Sequence, residues 1–575
     1  MTWKLKQNLQ KILETEQGYY LFPQGARTPF ALLYPNSYFV GMSNLGFHII
    51  YEQINKRTDS ACERFFLPDK TDLVEYERTD TPLMSIENQI PLYEFQLIGF
   101  AISFEMDYFN VLKMLSMGKV ELLAENRTEK DPIVIAGGPC STFNPEPLSA
   151  FIDAFIIGEG EETINRFLDV YHQPENKDLS REQLLLKLAQ IPGVYVPRFY
   201  EHVYDEENKL VAIKADNRVP AKVVRQWIHN LDDYEAKTVI TTQNTEFNLF
   251  LIETSRGCGR HCRFCMAGYC FRKPRHRSLD KLIKLLPEAM KMNKKVGLMG
   301  PAISDYPQIN ELCHEIRELN MPMSVASFRA DSVTEELVEA LAQSGQRTLT
   351  LAPEAGSIKI RNVINKGIEE EHLFKAIEMG INAGVKNYRL YIMVGLPKET
   401  QEDIDAIIDM TIRLKKYMEE LGSKGTLTLS INPFIAKPCT PFQWLPMADL
   451  KQTEKYFKQI KTSLKKYKNI EVQFESTKET YIQGVLARGD RKVAKALLQA
   501  HLDGGSKAFK RSLKQLGLNA DMYLYRQRDK DAVLPWDSLD MGFTKDYLWK
   551  ELDMAMQEKH TIQCFDGCKR CGVCK

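Results

Sequence analysis

The chain has no excess of either charge. Its 76 lysine and arginine residues are matched by 76 aspartate and glutamate residues. A protein that holds nucleic acid or a membrane surface through its overall charge carries a basic surplus, so any such partner must be held here by a local patch. The chain also has no apolar run of about 18 residues, the length a membrane span needs. Its first residues, Met1-Thr2-Trp3-Lys4-Leu5-Lys6, lead into a polar amphipathic stretch rather than the apolar core of an export signal. The expected location is therefore cytoplasmic, and there the twelve cysteines point to metal ligands or redox groups, not to a disulfide framework. No serine–histidine–aspartate arrangement can be assembled from the ten histidines.

What is present is a composition of 44% hydrophobic and 26% charged residues over 575 positions, which suits several globular domains. The expected class is α/β. Residues 1–25 form an N-terminal amphipathic helix, with Trp3, Leu5, Leu9, Ile12 and Leu13 near one face. Residues 26–180 read as a Rossmann-like parallel sheet domain, because short apolar runs at Phe30–Leu33, Leu97–Ile102, Ile133–Ala136 and Ala154–Ile157 alternate with helical stretches. A connector covers 181–245. Six strand candidates separated by helices then span 246–470: Leu249–Thr254, Lys295–Met299, Met323–Ser327, Thr348–Ala352, Tyr388–Val394 and Thr426–Asn432. This is the pattern of a partial (β/α)6 TIM-type barrel, whose chemistry sits at the carboxyl ends of its strands. A mainly helical C-terminal region, 471–575, ends in a cysteine-rich tail.

The cysteines fall into two sets. Directly after the first barrel strand comes Glu253-Thr254-Ser255-Arg256-Gly257-Cys258-Gly259-Arg260-His261-Cys262-Arg263-Phe264-Cys265. Three thiolates on one short loop can hold three irons of a cubane, leaving the fourth open to a cofactor or substrate. Arg256, Arg260, His261 and Arg263 on the same loop favour thiolates and an anionic cluster. A zinc site with Cys270 as fourth ligand is the competing reading. The second set, Cys564, Cys568, Cys571 and Cys574, lies at the far end with Gly567 and Gly572 between its members. It suits an auxiliary iron–sulfur cluster or a structural zinc. Cys62, Cys140, Cys313 and Cys439 are scattered and read as small buried hydrophobes.

The Cys258-x3-Cys262-x2-Cys265 loop, with Phe264 just before its last cysteine, resembles the signature of the radical S-adenosylmethionine (radical SAM) superfamily. Other strand ends agree: Gly300-Pro301 after the second strand, Ser327 and Arg329 after the third, Leu351-Ala352-Pro353-Glu354-Ala355-Gly356-Ser357 on the fourth, and Tyr391-Ile392-Met393-Val394-Gly395-Leu396-Pro397 on the fifth. Gly300-Pro301 departs from that family's usual Gly-Gly-Glu. The resemblance implies a catalytic [4Fe-4S] cluster on Cys258, Cys262 and Cys265, and S-adenosylmethionine held by Phe264, Gly300, Pro301, Ser327, Arg329, Glu354 and Val394. It implies reductive cleavage of S-adenosylmethionine to a 5′-deoxyadenosyl radical, fed by an electron donor such as flavodoxin or ferredoxin. The cofactors then carry the hard chemistry, and no side-chain acid or base is needed for the first step.

The sheet domain resembles the cobalamin-binding domain that precedes the barrel in many radical SAM enzymes. On that resemblance Ser43, Asn44, Gly137, Gly138, Gly158, Glu159 and Gly160 are its cobalamin-binding positions. The Asp-x-His-x-x-Gly motif that gives cobalt a histidine is missing, so the domain either binds cobalamin without that ligand or is a sheet retained without cofactor. Over its full length the chain resembles the family of B12-binding-domain-containing radical SAM proteins with a four-cysteine tail. Three functions are carried forward. One is cobalamin-assisted methyl transfer or a related radical transformation on an unknown substrate. The second is methylthiotransferase-like modification of RNA or ribosomal protein, although the extra cysteines sit at the wrong end for it. The third is a non-catalytic iron–sulfur binding or sensing protein. Finally, Phe271-Arg272-Lys273-Pro274-Arg275-His276-Arg277 reads either as a rim for phosphate or RNA, or as arginines paired with acidic neighbours, and the second is preferred.

Overall fold

The structure is a computed structural model that describes residues 3–292 and 294–574. The N-terminal domain is a six-stranded sheet in the order β2-β1-β3-β4-β5-β6. Its strands are β1 (Thr28–Ser37), β2 (Ser60–Leu67), β3 (Leu97–Ala101), β4 (Ile133–Gly137), β5 (Ala154–Ile156) and β6 (Val194–Tyr195). All neighbours are parallel except β5 and β6. Helices cover both faces, so the apolar runs at β1, β3, β4 and β5 are buried apart from the half-buried Ala101, as expected of such a sheet.

Strand β2 is not apparent from hydrophobic pattern, because Glu63 and Arg64 interrupt it. Both are buried. Arg64 lies between two carboxylates, Glu16 at 2.6 Å and Glu87 at 2.6 Å, all three without solvent contact at the side chain. A charge tolerates the interior only when it is paired and hydrogen-bonded. The N-terminal helix, expected over 1–25, ends at Glu14, and the pairing spans the segment that follows it, the strand and a later loop, none of which is visible in the local sequence.

The barrel has a three-stranded run, β7 (Leu249–Glu253), β8 (Lys295–Met299) and β9 (Met323–Ser324), and a four-stranded run, β10 (Thr348–Glu354), β11 (Asn387–Val394), β12 (Leu427–Pro433) and β13 (Ile470–Phe474). All pairings are parallel. One bridge, Phe328 to Leu351, joins the two runs. The six expected strands are present, the third shortened to two residues, and a seventh, β13, continues the sheet past residue 470. The β13 sequence Ile-Glu-Val-Gln-Phe alternates apolar with polar residues because it is an edge strand, with its polar side chains exposed.

The C-terminal helices Thr477–Arg488, Val493–Leu502, Phe509–Gln515 and Lys545–Met556 join the two sheets. Asn144 donates to the carbonyls of Ala487 and Gly489, each at 2.9 Å. Phe109 meets Phe509 edge to face at 5.3 Å. Residues of the sheet domain, the cysteine loop and these helices share one continuous apolar core. Among the described residues no helix is long and apolar enough to cross a membrane.

Candidate active site at the mouth of the barrel

The catalytic-type loop leaves the carboxyl end of β7. Thr254 N donates to Met299 O of β8 at 2.8 Å, and Arg277 N returns to Thr254 O at 2.9 Å, so both ends of the loop are pinned. Gly257 has φ +78°, and a Cβ there would lie 2.2 Å from Phe271 O, so only glycine fits. Arg263, fully buried, donates to Asn362 O, Val363 O, Lys559 O, Thr561 Oγ1 and Glu551. Its neighbours therefore come from the barrel and from the C-terminal tail together.

The three thiols influence one another. Burial, then the neighbouring Cys262, pushes the Cys258 thiol up. Burial, with Cys262 and Cys258 beside it, pushes Cys265 up to about 12. Arg329 Nη1 lies 3.8 Å from Cys262 Sγ. Thiols that resist ionisation this strongly become thiolates when a Lewis-acidic metal binds them. A soft donor set of three cysteines with a guanidinium beside it suits an iron–sulfur cluster. Cys270 is not part of this set: it is fully buried and shares the interdomain core with Cys439. Cys62, Cys140, Cys313 and Cys439 are buried as expected. Among the described residues no three His, Cys, Asp or Glu side chains close around a single ion.

Several of the residues expected to hold S-adenosylmethionine are brought together by one that the sequence reading missed, Lys366. Its ammonium pairs with Glu354 at 3.1 Å, its carbonyl accepts from Arg329 Nη2 at 2.6 Å, and its Nζ stands 5.9 Å from the Phe264 ring centre. Glu354 holds φ +67°, an uncommon conformation for a residue with a side chain. Asn365, also at positive φ, marks the turn that presents Lys366, and the dipeptide Asn365-Lys366 before Gly367 is the signal that could have flagged it. Ser327 is half-buried beside the Phe328 bridge, and Val394 at the end of β11 is fully buried, offering packing rather than a polar contact. At Gly300 a Cβ would lie 2.6 Å from Ser255 Oγ and 3.0 Å from Ile303 Cδ1, which accounts for the glycine.

Gly300 and Pro301 line a cleft of about 550 Å³ between the barrel mouth and the sheet domain. The opposite wall contains Ser43, Asn44, Gly137, Gly138, Gly158, Glu159 and Gly160, all the positions expected to contact cobalamin. Gly138 (φ +98°) and Gly158 (φ +107°) let the strand-end loops fold tightly, against Ile102 O and Gln226 O respectively. The Glu159 carboxylate is not free for a ligand. It accepts from both terminal nitrogens of Arg275 at 2.6 and 2.9 Å, from Arg256 at 3.1 Å and from Ile228 N at 2.8 Å. Burial alone would raise its pKa, but the Arg275 hydrogen bonds and the Arg256 charge outweigh burial and lower it. Two arginines of the basic run behave as the paired reading expects, Arg275 binding Glu159 and Arg277 binding Glu253 at 2.7 Å; Arg272 is fully buried on neutral partners, and Lys273 and His276 are exposed.

The tail returns to this same loop. Cys564 N donates to Gly259 O at 2.8 Å, and Asn365 Nδ2 donates to His261 O at 3.1 Å and Thr561 O at 3.0 Å. His261 Nε2 lies 3.2 Å from Cys564 Sγ, and its Nδ1 lies 2.6 Å from Tyr547 Oη. Burial, reinforced by Arg272, Arg570 and Arg263, pushes His261 down to about 2, so the imidazole is neutral. The two cysteine sets, some 300 positions apart in sequence, are neighbours in space.

A parallel partial barrel with three cysteines after its first strand, and strand ends shaped for a nucleoside cofactor, defines an iron–sulfur enzyme acting on S-adenosylmethionine. Residues 46–197 match the family model for radical SAM proteins, N-terminal, and residues 252–411 match the radical SAM superfamily. The chain is 33% identical over 469 residues to an uncharacterized protein of Methanocaldococcus jannaschii, covering 81% of this chain and 90% of that one. It is 23% identical over 320 residues to an uncharacterized methyltransferase of Pyrococcus horikoshii, covering 51% and 61%. Among solved structures it is similar to the radical S-adenosylmethionine methyltransferase TsrM of Kitasatospora setae, at 15% identity, 70% and 75% coverage and a TM-score of 0.46. The chain belongs to the radical SAM superfamily, and it is an enzyme of that class. Cys258, Cys262 and Cys265 are the residues that would hold a [4Fe-4S] cluster, which would supply the electron for reductive cleavage of S-adenosylmethionine. The protein's part is to orient both groups and to keep water out.

Proposed function

We propose that the enzyme is a cobalamin-assisted radical SAM methyltransferase, with cobalamin on the sheet-domain wall of the 550 Å³ cleft and S-adenosylmethionine on the barrel wall. The observation that carries this reading is the cleft itself. The strand-end loops of one sheet and those of the other face a single open cleft, and ligands in parallel sheets bind outside the carboxyl ends of strands. Ser43 and Asn44 are anchored for such a role. Ser43 Oγ donates to Phe39 O and accepts from Glu246 N, while Asn44 caps the following helix and donates to Ser103. Gly137, where a Cβ would have no atom nearer than 3.9 Å, leaves the backbone bare for a ligand to come close. Cobalamin supplies a methyl carrier when bound there.

Two relatives support the reaction class by their names: the Pyrococcus horikoshii methyltransferase, and the cytidylyl-2-hydroxyethylphosphonate methyltransferase of Streptomyces wedmorensis, 25% identical over 223 residues. The electron comes from a flavodoxin- or ferredoxin-type donor, and the reducing cytoplasm is the compartment that suits such thiolate chemistry. The test is anaerobic purification with hydroxocobalamin, followed by S-adenosylmethionine labelled on its methyl group. The expected result is about one corrinoid per chain and label recovered on it. A folded protein with its cluster intact and no corrinoid would remove the reading.

A second reading, methylthio transfer, is favoured by the position of the tail cysteines against the catalytic-type loop, and by a putative methylthiotransferase of Methanocaldococcus jannaschii, 25% identical over 312 residues. It predicts loss of sulfide from the tail on turnover, which the methyltransferase reading does not.

A further inference from the structure

Arg272 is fully buried, and among the described residues it has no carboxylate within ion-pair distance. Its Nε donates to Gly268 O at 2.9 Å and its Nη1 contacts His261 Nδ1 at 3.0 Å and Tyr547 Oη at 3.2 Å, all neutral partners. Its Nη2 has no partner at all. Three buried arginines nearby have carboxylates: Arg263 has Glu551, Arg275 has Glu159 and Arg277 has Glu253, whereas Arg225, also buried, donates only to the carbonyls of Met541 and Arg272. An isolated guanidinium away from water is costly, and removing the partner of a buried charge typically costs several kcal/mol. An anion beside Arg272 would offset that cost.

His261 links Arg272 to the tail: its Nδ1 faces Arg272 Nη1 at 3.0 Å and its Nε2 lies 3.2 Å from Cys564 Sγ. Cys568 and Cys571 are buried, and Arg570 Nε donates to Cys568 Sγ at 3.2 Å while its Nη2 fixes the carbonyls of Ile562 and Gln563. Arg570 thus folds the tail around its own cysteines. His261 reaches Cys564 from inside the catalytic loop, and Gly259 lets the two backbones approach, since a Cβ there would stand 3.1 Å from that of Cys564.

We propose that Cys564, Cys568, Cys571 and Cys574 hold a second iron–sulfur cluster, docked directly on the loop of the first, and that its negative charge is the missing partner of Arg272. Four thiolates are the usual complement of a cubane, one per iron. A mononuclear zinc instead draws its thiolates to one point, and the metal analysis below separates the two. The inference needs only the radical SAM loop beside the tail, so it stands or falls separately from the cobalamin reading.

The test is iron and acid-labile sulfide analysis, with Mössbauer spectra, of the full chain reconstituted anaerobically. The wild type is expected to hold about eight irons, and the variant C258A/C262A/C265A about four, with the Mössbauer parameters of iron tetrahedrally coordinated by sulfur. The variant C564S/C568S/C571S/C574S is expected to hold about four, with 5′-deoxyadenosine formation retained at least in part. Arg272→Gln in the loop-triple background should lower the iron retained by the tail, with circular dichroism reporting that the fold is intact. A folded loop-triple variant that binds no iron, or that binds zinc alone, overturns the proposal. Should that variant fail to fold, a wild type that saturates at about four irons overturns it equally.

Discussion

Replacing Arg263 with methionine would test how the catalytic loop is held. The side chain is without solvent contact, and its guanidinium satisfies the carbonyls of Asn362, Val363 and Lys559, the Thr561 hydroxyl and Glu551. Methionine fills much of the volume and supplies no donor. Glu551 keeps only the Thr561 hydroxyl as a partner, and breaking one side of a buried ion pair costs about 3–5 kcal/mol. The three carbonyls lose a donor as well, at roughly 1 kcal/mol each when water cannot replace it. These terms share one network and do not add, so about 4 kcal/mol is the expected loss. Because the bonds tie the loop to both the helix Ile358–Val363 and the tail, the loss appears as loop opening before global unfolding. If the cluster binds only the closed loop, 4 kcal/mol corresponds to roughly a thousandfold weaker hold on iron. The assay is anaerobic iron retention against a chelator, with 5′-deoxyadenosine formation as a second readout. Arg263→Lys should fall between, since an ammonium pairs with Glu551 but cannot span the fork of acceptors. Wild-type iron retention in R263M would refute this account of the loop.

Three further outcomes follow from the same geometry. Gly300→Ala places a methyl 2.6 Å from Ser255 Oγ, so binding of S-adenosylmethionine measured by equilibrium dialysis should weaken about tenfold, and Ser255→Gly in the same chain should restore part of it. Lys366→Met leaves Glu354 unpaired beside Phe264 and should weaken S-adenosylmethionine binding by about 1–3 kcal/mol while iron content is unchanged; equal binding would remove Lys366 from the site. Glu399 accepts from Gly395 N at 2.6 Å, and burial raises its pKa to about 8. A carboxyl raised in the folded state is most favourable to folding below the unfolded value near 4.5, and that contribution is lost as pH rises toward 8. Urea unfolding should therefore show a fall of about 2–4 kcal/mol in wild type over that range, and no comparable fall in E399Q.

The alternation of apolar runs with helices, the loop Cys258-x3-Cys262-x2-Cys265 and the glycines at strand ends were legible because each is a local pattern with a local cause. Buried strands of a parallel sheet must be apolar on both faces, and glycine is required where a Cβ would meet backbone. Strand β2 and edge strand β13 were hidden, the first because Arg64 is buried between carboxylates contributed by distant segments, the second because an edge strand keeps one face polar. Lys366 escaped notice for a related reason: an isolated lysine carries no signature until the fold sets it against Glu354, Arg329 and Phe264. The chain order alone fixed which residues could ligate metal, since thiol spacing is a property of a few consecutive positions. Only the folded molecule decided that the tail lies on the first cysteine loop and that Arg272 waits there without a counter-ion, because contact between residues 300 positions apart depends on how the whole interior packs.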